Sequence, residues 1–149
     1  LVDSFGALYS EKIAYLAKKY KAAMPSREIG IHAHNNQQLA FANTIEAIIQ
    51  GINYLDGTIF GIGRAAGNCP LELLLGFLKN PKFNIRPILN VLGKDFVKLR
   101  EEIEWGYTIP YMITGILDLH PRAGMKLRNS DDKDEYLGFY EKLTTEPNF

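Results

Sequence analysis

Short apolar runs alternate with segments of helical periodicity along the first eighty residues. Each run is short and rich in β-branched, aliphatic or aromatic residues, as buried strands are. Each following segment repeats apolar residues every three or four positions, as amphipathic helices do. The predicted strands cover residues 1–3, 29–34 and 54–60, and the predicted helices begin near Ser10, Gln37 and Pro70. Three successive strand–helix units predict an α/β fold with a parallel sheet, either doubly wound or part of a closed barrel.

The second predicted helix illustrates the pattern. Its expected buried stripe consists of Leu39, Ala42, Ile45, Ile48 and Ile49, and Gly51 is placed to end it. After residue 80 the chain is predicted to be helical, over 87–92, 95–105, 109–119 and 131–143, with Ser130 or Asp131 as a cap for the last helix and a loop around Gly124 and Asn129. The chain therefore divides into strand–helix units (1–80) and a helical extension (81–149).

Composition excludes several classes of protein. Hydrophobic residues make up 46% of the 149, which is typical of a folded domain. The 17 basic residues balance the 17 acidic ones, so nucleic acid and acidic membranes are not expected partners. No apolar run approaches the ~20 residues that span a bilayer. One cysteine, Cys69, permits no internal disulfide and fits a reducing compartment such as the cytoplasm.

Two histidines end the second predicted strand. His32 and His34 are two positions apart, so their side chains should lie on one face of the strand, together with Asn36. Two neutral imidazoles on one face can bind a single divalent cation. The alternative is a pair of histidines that only form hydrogen bonds to polar loops.

Further polar residues follow the other two strands. Asp3 and Ser4 follow the first strand, and the third leads to Asp56, Arg64 and Asn68. Ligands of parallel α/β folds bind at the carboxyl ends of strands, so these residues are candidates for the same site. Asn68 could complete a metal site, cap the following helix, or do both. Arg64 could bind a carboxylate or could be a solvated loop charge.

The glycine-rich segment from Gly61 to Gly67 does not have the spacing of a dinucleotide-binding loop or a P-loop. Its glycines more simply permit a sharp turn or a close approach to a ligand. Cys69 could act as a nucleophile with His32 or His34 as its base. A pair of histidines with an amide is closer to a ligand set, so a buried and inert Cys69 is the expectation.

Three segments of the chain resemble one known family. They are GIHAHNN (30–36), DGT (56–58) and GIGRAAGNCPLE (61–72). They are similar to the last two barrel strands of the metal-dependent aldolases and lyases that include 4-hydroxy-2-oxovalerate aldolase, hydroxymethylglutaryl-CoA lyase and isopropylmalate synthase. Asp3-Ser4-Phe5-Gly6 is similar to a segment on the sixth barrel strand of the aldolases. The resemblance implies a partial TIM barrel, strands six to eight with their helices, followed by C-terminal helices.

The resemblance also implies roles for individual residues. His32, His34 and Asn68 match metal ligands, and Ser4 falls where the aldolases contact the substrate carboxylate. Tyr107 resembles a tyrosine at the active site, with Tyr111 a poorer match; either could simply pack at a helix junction. The family's third metal ligand is an aspartate on strand one, beside an arginine, and neither is present in this sequence.

These expectations combine into one functional prediction. The intact protein would be a divalent-metal-dependent carbon–carbon lyase that acts on a 2-oxo acid through a pyruvate enolate, using Mn²⁺, Mg²⁺ or Zn²⁺. Alternatives are an acyl-CoA-dependent Claisen-type synthase of the same superfamily and a non-catalytic fragment or scaffold that requires a partner. The chain begins at Leu1 as if inside a strand, so pairing with a missing N-terminal half, or homo-oligomerisation, is expected. The isolated chain is predicted to bind metal weakly and to be inactive.

Overall fold

A computed structural model describes residues 1–145 as three strand–helix units followed by further helices. The units are β1 (Val2–Asp3) with α1 (Ser10–Ala23), β2 (Gly30–Ala33) with α2 (Ala40–Ile49), and β3 (Tyr54–Leu55) with α3 (Leu71–Leu78). The strands form a parallel sheet in the order β1-β2-β3. The predicted α/β class and parallel sheet are confirmed, although β3 ends five residues earlier than expected.

The two faces of this sheet differ in what covers them. Ile31 and Ala33 of β2 point towards the helices and are buried, in a core that also contains Ile13, Ala17, Ala40, Ala47 and Leu74. The strand register pairs Val2 with His32 and Gly30 with Tyr54, and paired residues share a face, so these four residues lie on the face opposite to Ile31 and Ala33. On that face Val2 is 57% exposed and Tyr54 is 59% exposed. We call it the open face.

Helix α2 packs on the sheet through a different stripe from the predicted one. Its buried residues are Ala40, Asn43, Thr44 and Ala47, whereas Ile49 is 68% exposed. Small residues let the helix approach the sheet closely, and the two polar side chains find partners. Asn43 donates to the Leu8 carbonyl oxygen and Thr44 donates to that of Ala40. The expected stripe of larger aliphatic residues was therefore wrong in register.

Between residues 81 and 145 the structure contains five α-helices. They are α4 (Arg86–Val91), α5 (Val97–Glu102), α6 (Ile109–Ile116), α7 (Arg122–Arg128) and α8 (Tyr136–Thr145), and a π-helical turn (Leu92–Phe96) joins α4 to α5. Helix α7 was missed by the sequence pattern. Helix α8 begins at Tyr136, so neither Ser130 nor Asp131 caps it. The division of the chain at residue 80 stays a prediction.

Helix α6 lies against the ends of β1 and β2. The amide of Gln37 donates to the carbonyl oxygens of Gly6 and Gly115, and the close packing leaves no room for a Cβ at Gly115. The extension is therefore anchored beside the carboxyl ends of the strands. Among the described helices, none has the length and hydropathy needed to cross a membrane.

Candidate metal and substrate site

The two histidine rings lie side by side on the open face of β2. Their centroids are 5.2 Å apart and their planes are inclined at 73°. Ile31 and Ala33, which alternate with them, are buried on the other face. The predicted placement of His32 and His34 on one face is therefore confirmed.

A carboxylate holds the ring of His32. Its Nδ1 atom lies 3.1 Å from Oδ2 of Asp56, and both side chains are partly exposed. A carboxylate on one ring nitrogen fixes the imidazole and leaves Nε2 for a cation, as in many metal sites. From the sequence, Asp56 was a candidate for the site without a specific role. The contact follows from the register of β2 and β3, which places Asp56 opposite His32 and is seen only in the structure.

His34 is held in a less polar environment. Its Nδ1 atom is buried and has no hydrogen-bond partner. Burial lowers the pKa of His34, the charges of His32 and Arg64 lower it further, and the backbone at Gly67 and Arg64 acts in the opposite direction. A lowered pKa keeps the imidazole neutral, which is the form that binds a metal.

Asn68 is brought to His34 by the glycine-rich loop. Backbone pairing places the two residues next to each other. The amide nitrogen of Asn68 donates to the Ile62 carbonyl oxygen at 3.1 Å, which orients the side chain, while its Oδ1 atom is buried without a partner. A buried acceptor without a partner is costly, and this oxygen is free to bind a cation.

The loop itself closes tightly. Gly67 has φ +81°, and a Cβ on it would lie 2.0 Å from the Gly61 carbonyl oxygen. A Cβ on Gly63 would lie 2.4 Å from the amide nitrogen of Asn68. Gly67 is thus required by close backbone approach, as the sequence suggested, whereas Gly63 leaves room for the side-chain amide of Asn68.

The donor set fits a divalent cation. Two imidazoles and an amide oxygen are suitable ligands for Mn²⁺ or Zn²⁺, and two of the three residues carry buried polar atoms without partners. Within residues 1–145, no group of three or more His, Cys, Asp or Glu side chains could hold a metal ion. A further acidic ligand is therefore not supplied by the described part of the chain.

The candidate substrate residues lie beside this site. The Arg64 guanidinium donates to the backbone carbonyl oxygen of Ser4 at 3.2 Å, which connects the loop after β1 to the glycine-rich loop. Arg64 also acts electrostatically on His34. Both Ser4 and Arg64 are exposed, so they are accessible to a ligand.

Tyr107 lies in a neighbouring cavity of about 290 Å³ that also contains Asn35, Phe60 and Trp105. Its ring is 46% exposed. Trp105 holds this segment because its indole N–H donates to the Phe60 carbonyl oxygen at 2.8 Å. Arg100 stacks over the Phe60 ring at 4.8 Å. The segment that carries Tyr107 is thus attached to the residue before the glycine-rich loop, beside a cavity that Asn35 also lines.

Tyr111 has a structural position instead. It is 3% exposed, and its hydroxyl oxygen accepts a hydrogen bond from Arg128 at 2.7 Å. Asn36 does not join the histidines, because β2 ends at Ala33 and the alternation stops there. Asn36 is buried against Gly6 and Gly115 and donates to the Tyr111 carbonyl oxygen.

Cys69 is fully buried, as expected. Burial raises the pKa of its thiol to about 11, only partly offset by a hydrogen bond with Thr44. A thiol that stays protonated at neutral pH is a poor nucleophile, so the thiol-enzyme alternative loses its support.

Comparison with known proteins identifies the class to which this fold and site belong. A profile of the HMGL-like family matches residues 1–97, so the chain is a member of the HMGL-like family.

Individual relatives narrow the comparison. The chain is 38% identical over 105 residues to a 4-hydroxy-2-oxovalerate aldolase of Thermus thermophilus, covering 70% of the chain and 28% of the relative. It is 40% identical over 82 residues to an oxaloacetate decarboxylase of Mycobacterium tuberculosis, covering 53% of the chain and 23% of that relative. A crystal structure described as the "N-terminal domain of a putative aldolase" from Bacteroides vulgatus matches 87% of the chain and 44% of that structure, with TM-score 0.75 and 34% identity. The chain thus spans less than a third of the length of these curated relatives.

Proposed function

We propose that the chain contributes the metal-binding and carboxylate-binding side of a divalent-metal-dependent lyase that cleaves a carbon–carbon bond in a 2-oxo acid. The observation that supports this most directly is the pair of imidazoles on the open face, with the partnerless Oδ1 of Asn68 beside them. Membership of the HMGL-like family supports the reaction class. Relatives named as an aldolase and a decarboxylase fit it, since both reactions can proceed through the enolate of pyruvate.

His32, His34 and Asn68 would hold the cation, with Asp56 orienting His32. When bound, the cation supplies Lewis-acid stabilisation of negative charge on the carbonyl oxygen of the 2-oxo acid. Mn²⁺, Mg²⁺ and Zn²⁺ all remain candidates. Asp56 is a positioning residue in this proposal, because it acts through the His32 ring.

The remaining residues would bind the substrate and move protons. Arg64 has five N–H donors, one of which holds the Ser4 carbonyl oxygen, so it can also pair with the substrate carboxylate. In the aldol cleavage the C4 hydroxyl loses its proton, the C3–C4 bond breaks, and the aldehyde departs. The electron pair stays on C3, and protonation there completes pyruvate. The Tyr107 phenol is our candidate for one of these proton transfers.

The open face requires a covering element. Val2 and Tyr54 are more than half exposed there, and the outer edges of β1 and β3 have no strand partner in residues 1–145. We propose that the three strands are strands six to eight of a (β/α)8 barrel. The other strands, with an aspartate that completes the cation site, would come from a preceding segment or a partner chain. Cytoplasmic location is part of the same proposal.

Metal binding by the chain itself tests the site without any assay of activity. We expect weak Mn²⁺ binding, measured by calorimetry or by the loss of the free Mn²⁺ EPR signal. His34→Ala should reduce the affinity at least tenfold, and Asp56→Asn about tenfold, because an outer partner of a ligand contributes 10–100-fold. His120→Gln is the matched control, since it removes the third histidine of the chain. Equal losses in H120Q and H34A would contradict the site.

The reaction class is tested in a chimera. Residues 1–145 replace the matching segment of the Thermus thermophilus aldolase, whose other strands then cover the open face. Pyruvate release from 4-hydroxy-2-oxovalerate is expected, with its loss in His34→Ala and a lowered kcat in Tyr107→Phe. A chimera that folds and binds Mn²⁺ but releases thiol from acetyl-CoA, and no aldehyde, would point to the Claisen-type synthase instead.

A further inference from the structure

A second cavity opens beside Arg64, and its charged lining is entirely basic. It has a volume of about 540 Å³, and Arg64, His120, Arg122, Met125, Lys126 and Asn129 line it. We call it the basic cavity. Apart from Arg64, the lining residues all belong to α7 or to the segments directly before and after it. Nothing in the reaction proposed above uses His120, Arg122 or Lys126.

In the described residues the cations of the basic cavity are not held in ion pairs, although Lys126 also lines a neighbouring cavity with Asp132 and Glu135. Within residues 1–145, Arg64, Arg122 and Lys126 form no ion pair with a carboxylate. The nearby carboxylates Asp3 and Asp118 line a separate cavity with Ser4 and Phe5. The chain as a whole is neutral, so this excess of cations reflects their placement and not the composition.

His120 adds a hydrogen-bond donor to this lining. Its Nδ1 atom accepts a hydrogen bond from the backbone N–H of Arg122 at 3.0 Å. The neutral imidazole must then carry its proton on Nε2, so that atom is a donor. The Phe5 ring packs edge-on against His120, with centroids 5.3 Å apart, which fixes the ring.

Arg64 connects the basic cavity to the candidate metal site. It lines the basic cavity, and it lies in the glycine-rich loop that leads to Asn68. It is anchored on the Ser4 carbonyl oxygen, at the carboxyl end of β1. A ligand with two anionic ends could therefore contact both sites at once.

We propose that the basic cavity binds a second anionic group of the substrate, a carboxylate or a phosphate, at the end remote from its 2-oxo acid. The Arg122 guanidinium can donate to two oxygens of a carboxylate or of a phosphate at once, and Lys126 and His120 supply further donors. This inference rests on the proposed function. It restricts the substrate class to 2-oxo acids whose aldehyde half is negatively charged.

The test measures ligand binding to the full chain by NMR chemical shifts, with inorganic phosphate and succinate as separate probes. At least one probe should bind, and Arg122→Gln/Lys126→Gln should weaken it at least tenfold. Lys18→Gln, which removes an exposed cation of α1, is the control for loss of charge alone. The stronger of the two probes identifies which anion the cavity prefers. Absence of binding, or equal binding by the double variant, overturns the inference.

A second measurement tests the link to the 2-oxo acid site. In the presence of Mn²⁺, 2-oxoglutarate or 2-oxoadipate should bind at least tenfold more tightly than pyruvate, and the double variant should lose that advantage. Phosphate binding without this advantage would overturn the substrate assignment. Failure of the proposed function appears separately, as Mn²⁺ binding that does not depend on His32 and His34. Urea unfolding midpoints of all variants confirm that they fold.

Discussion

The two faces of β2 are built from alternating residues of one short strand, yet one face is packed in the core and the other is open to ligands. Ile31 and Ala33 are each 2% exposed and pack against the helices. His32 and His34 point the opposite way, where Val2 and Tyr54 are largely exposed. One face therefore contributes to the stability of the isolated chain, while the other places polar groups where a ligand can reach them. Substitutions on the two faces should separate stability from binding.

The largest expected effect is on the packed face. Ile31→Ala removes a fully buried side chain from the centre of the core, which should lower the free energy of unfolding by about 3 kcal/mol. His32→Ala is the matched substitution one residue away on the open face. Its effect on urea unfolding should be under about 1 kcal/mol, because it removes only a partly exposed hydrogen-bond contact with Asp56. Similar losses for both variants would mean that the open face is also packed in solution.

The glycine-rich loop allows a second comparison, between backbone and side chain. Gly67→Ala places a Cβ against the Gly61 carbonyl oxygen at a positive φ, so the loop must open; we expect a loss of about 2 kcal/mol. Gly63→Ala meets only the Asn68 amide group, which can move. It should therefore weaken Mn²⁺ binding with a smaller loss of stability. The contrary result, a stable G67A or a G63A with normal Mn²⁺ binding, would show that the loop does not hold Asn68 in place.

Some features of β2 and of the glycine-rich loop could be predicted from the sequence. The physical reasons that made this possible do not apply to the whole chain. Alternation along a strand depends only on local geometry, so the shared face of His32 and His34 could be predicted. The partner of His32 could not, because it depends on the register between β2 and β3. The resemblance to the aldolases predicted Asn68 as a ligand, a role that periodicity alone left ambiguous between a ligand and a cap.

Helix α7 was missed because Gly124 was interpreted as a loop residue. In the structure Gly124 is helical, and a Cβ there would lie 2.9 Å from the Pro110 carbonyl oxygen. The glycine is thus required by the close packing of α7 on α6 and not by a turn. In α2 the small buried residues, two of them polar, misled a prediction based on hydrophobicity. Tertiary contacts decided both cases, and such contacts cannot be obtained from the pattern of one segment.

The smallest expected effect concerns a charge on the packed side of the sheet. Asp3 is 3% exposed, and its carboxylate accepts hydrogen bonds from the backbone N–H groups of Ala7 and Leu8. Burial raises the pKa of Asp3 despite these bonds. Asp3 therefore binds its proton more tightly in the folded chain than in the unfolded chain. Its ionisation lowers the free energy of unfolding as the pH rises above 3.8, the ordinary pKa of the aspartate side chain.

Asp3→Asn removes that ionisation and keeps one side-chain acceptor. The free energy of unfolding of the variant, relative to the native chain, should therefore rise from pH 4 to pH 7, as measured by urea titrations at several pH values. Glu11→Gln, an exposed carboxylate in the first turn of α1, should give a difference that changes little over this range. A relative stability of D3N that falls with rising pH would mean that the two backbone hydrogen bonds outweigh burial. In that case the packed face of the sheet tolerates a charge as readily as the open face does.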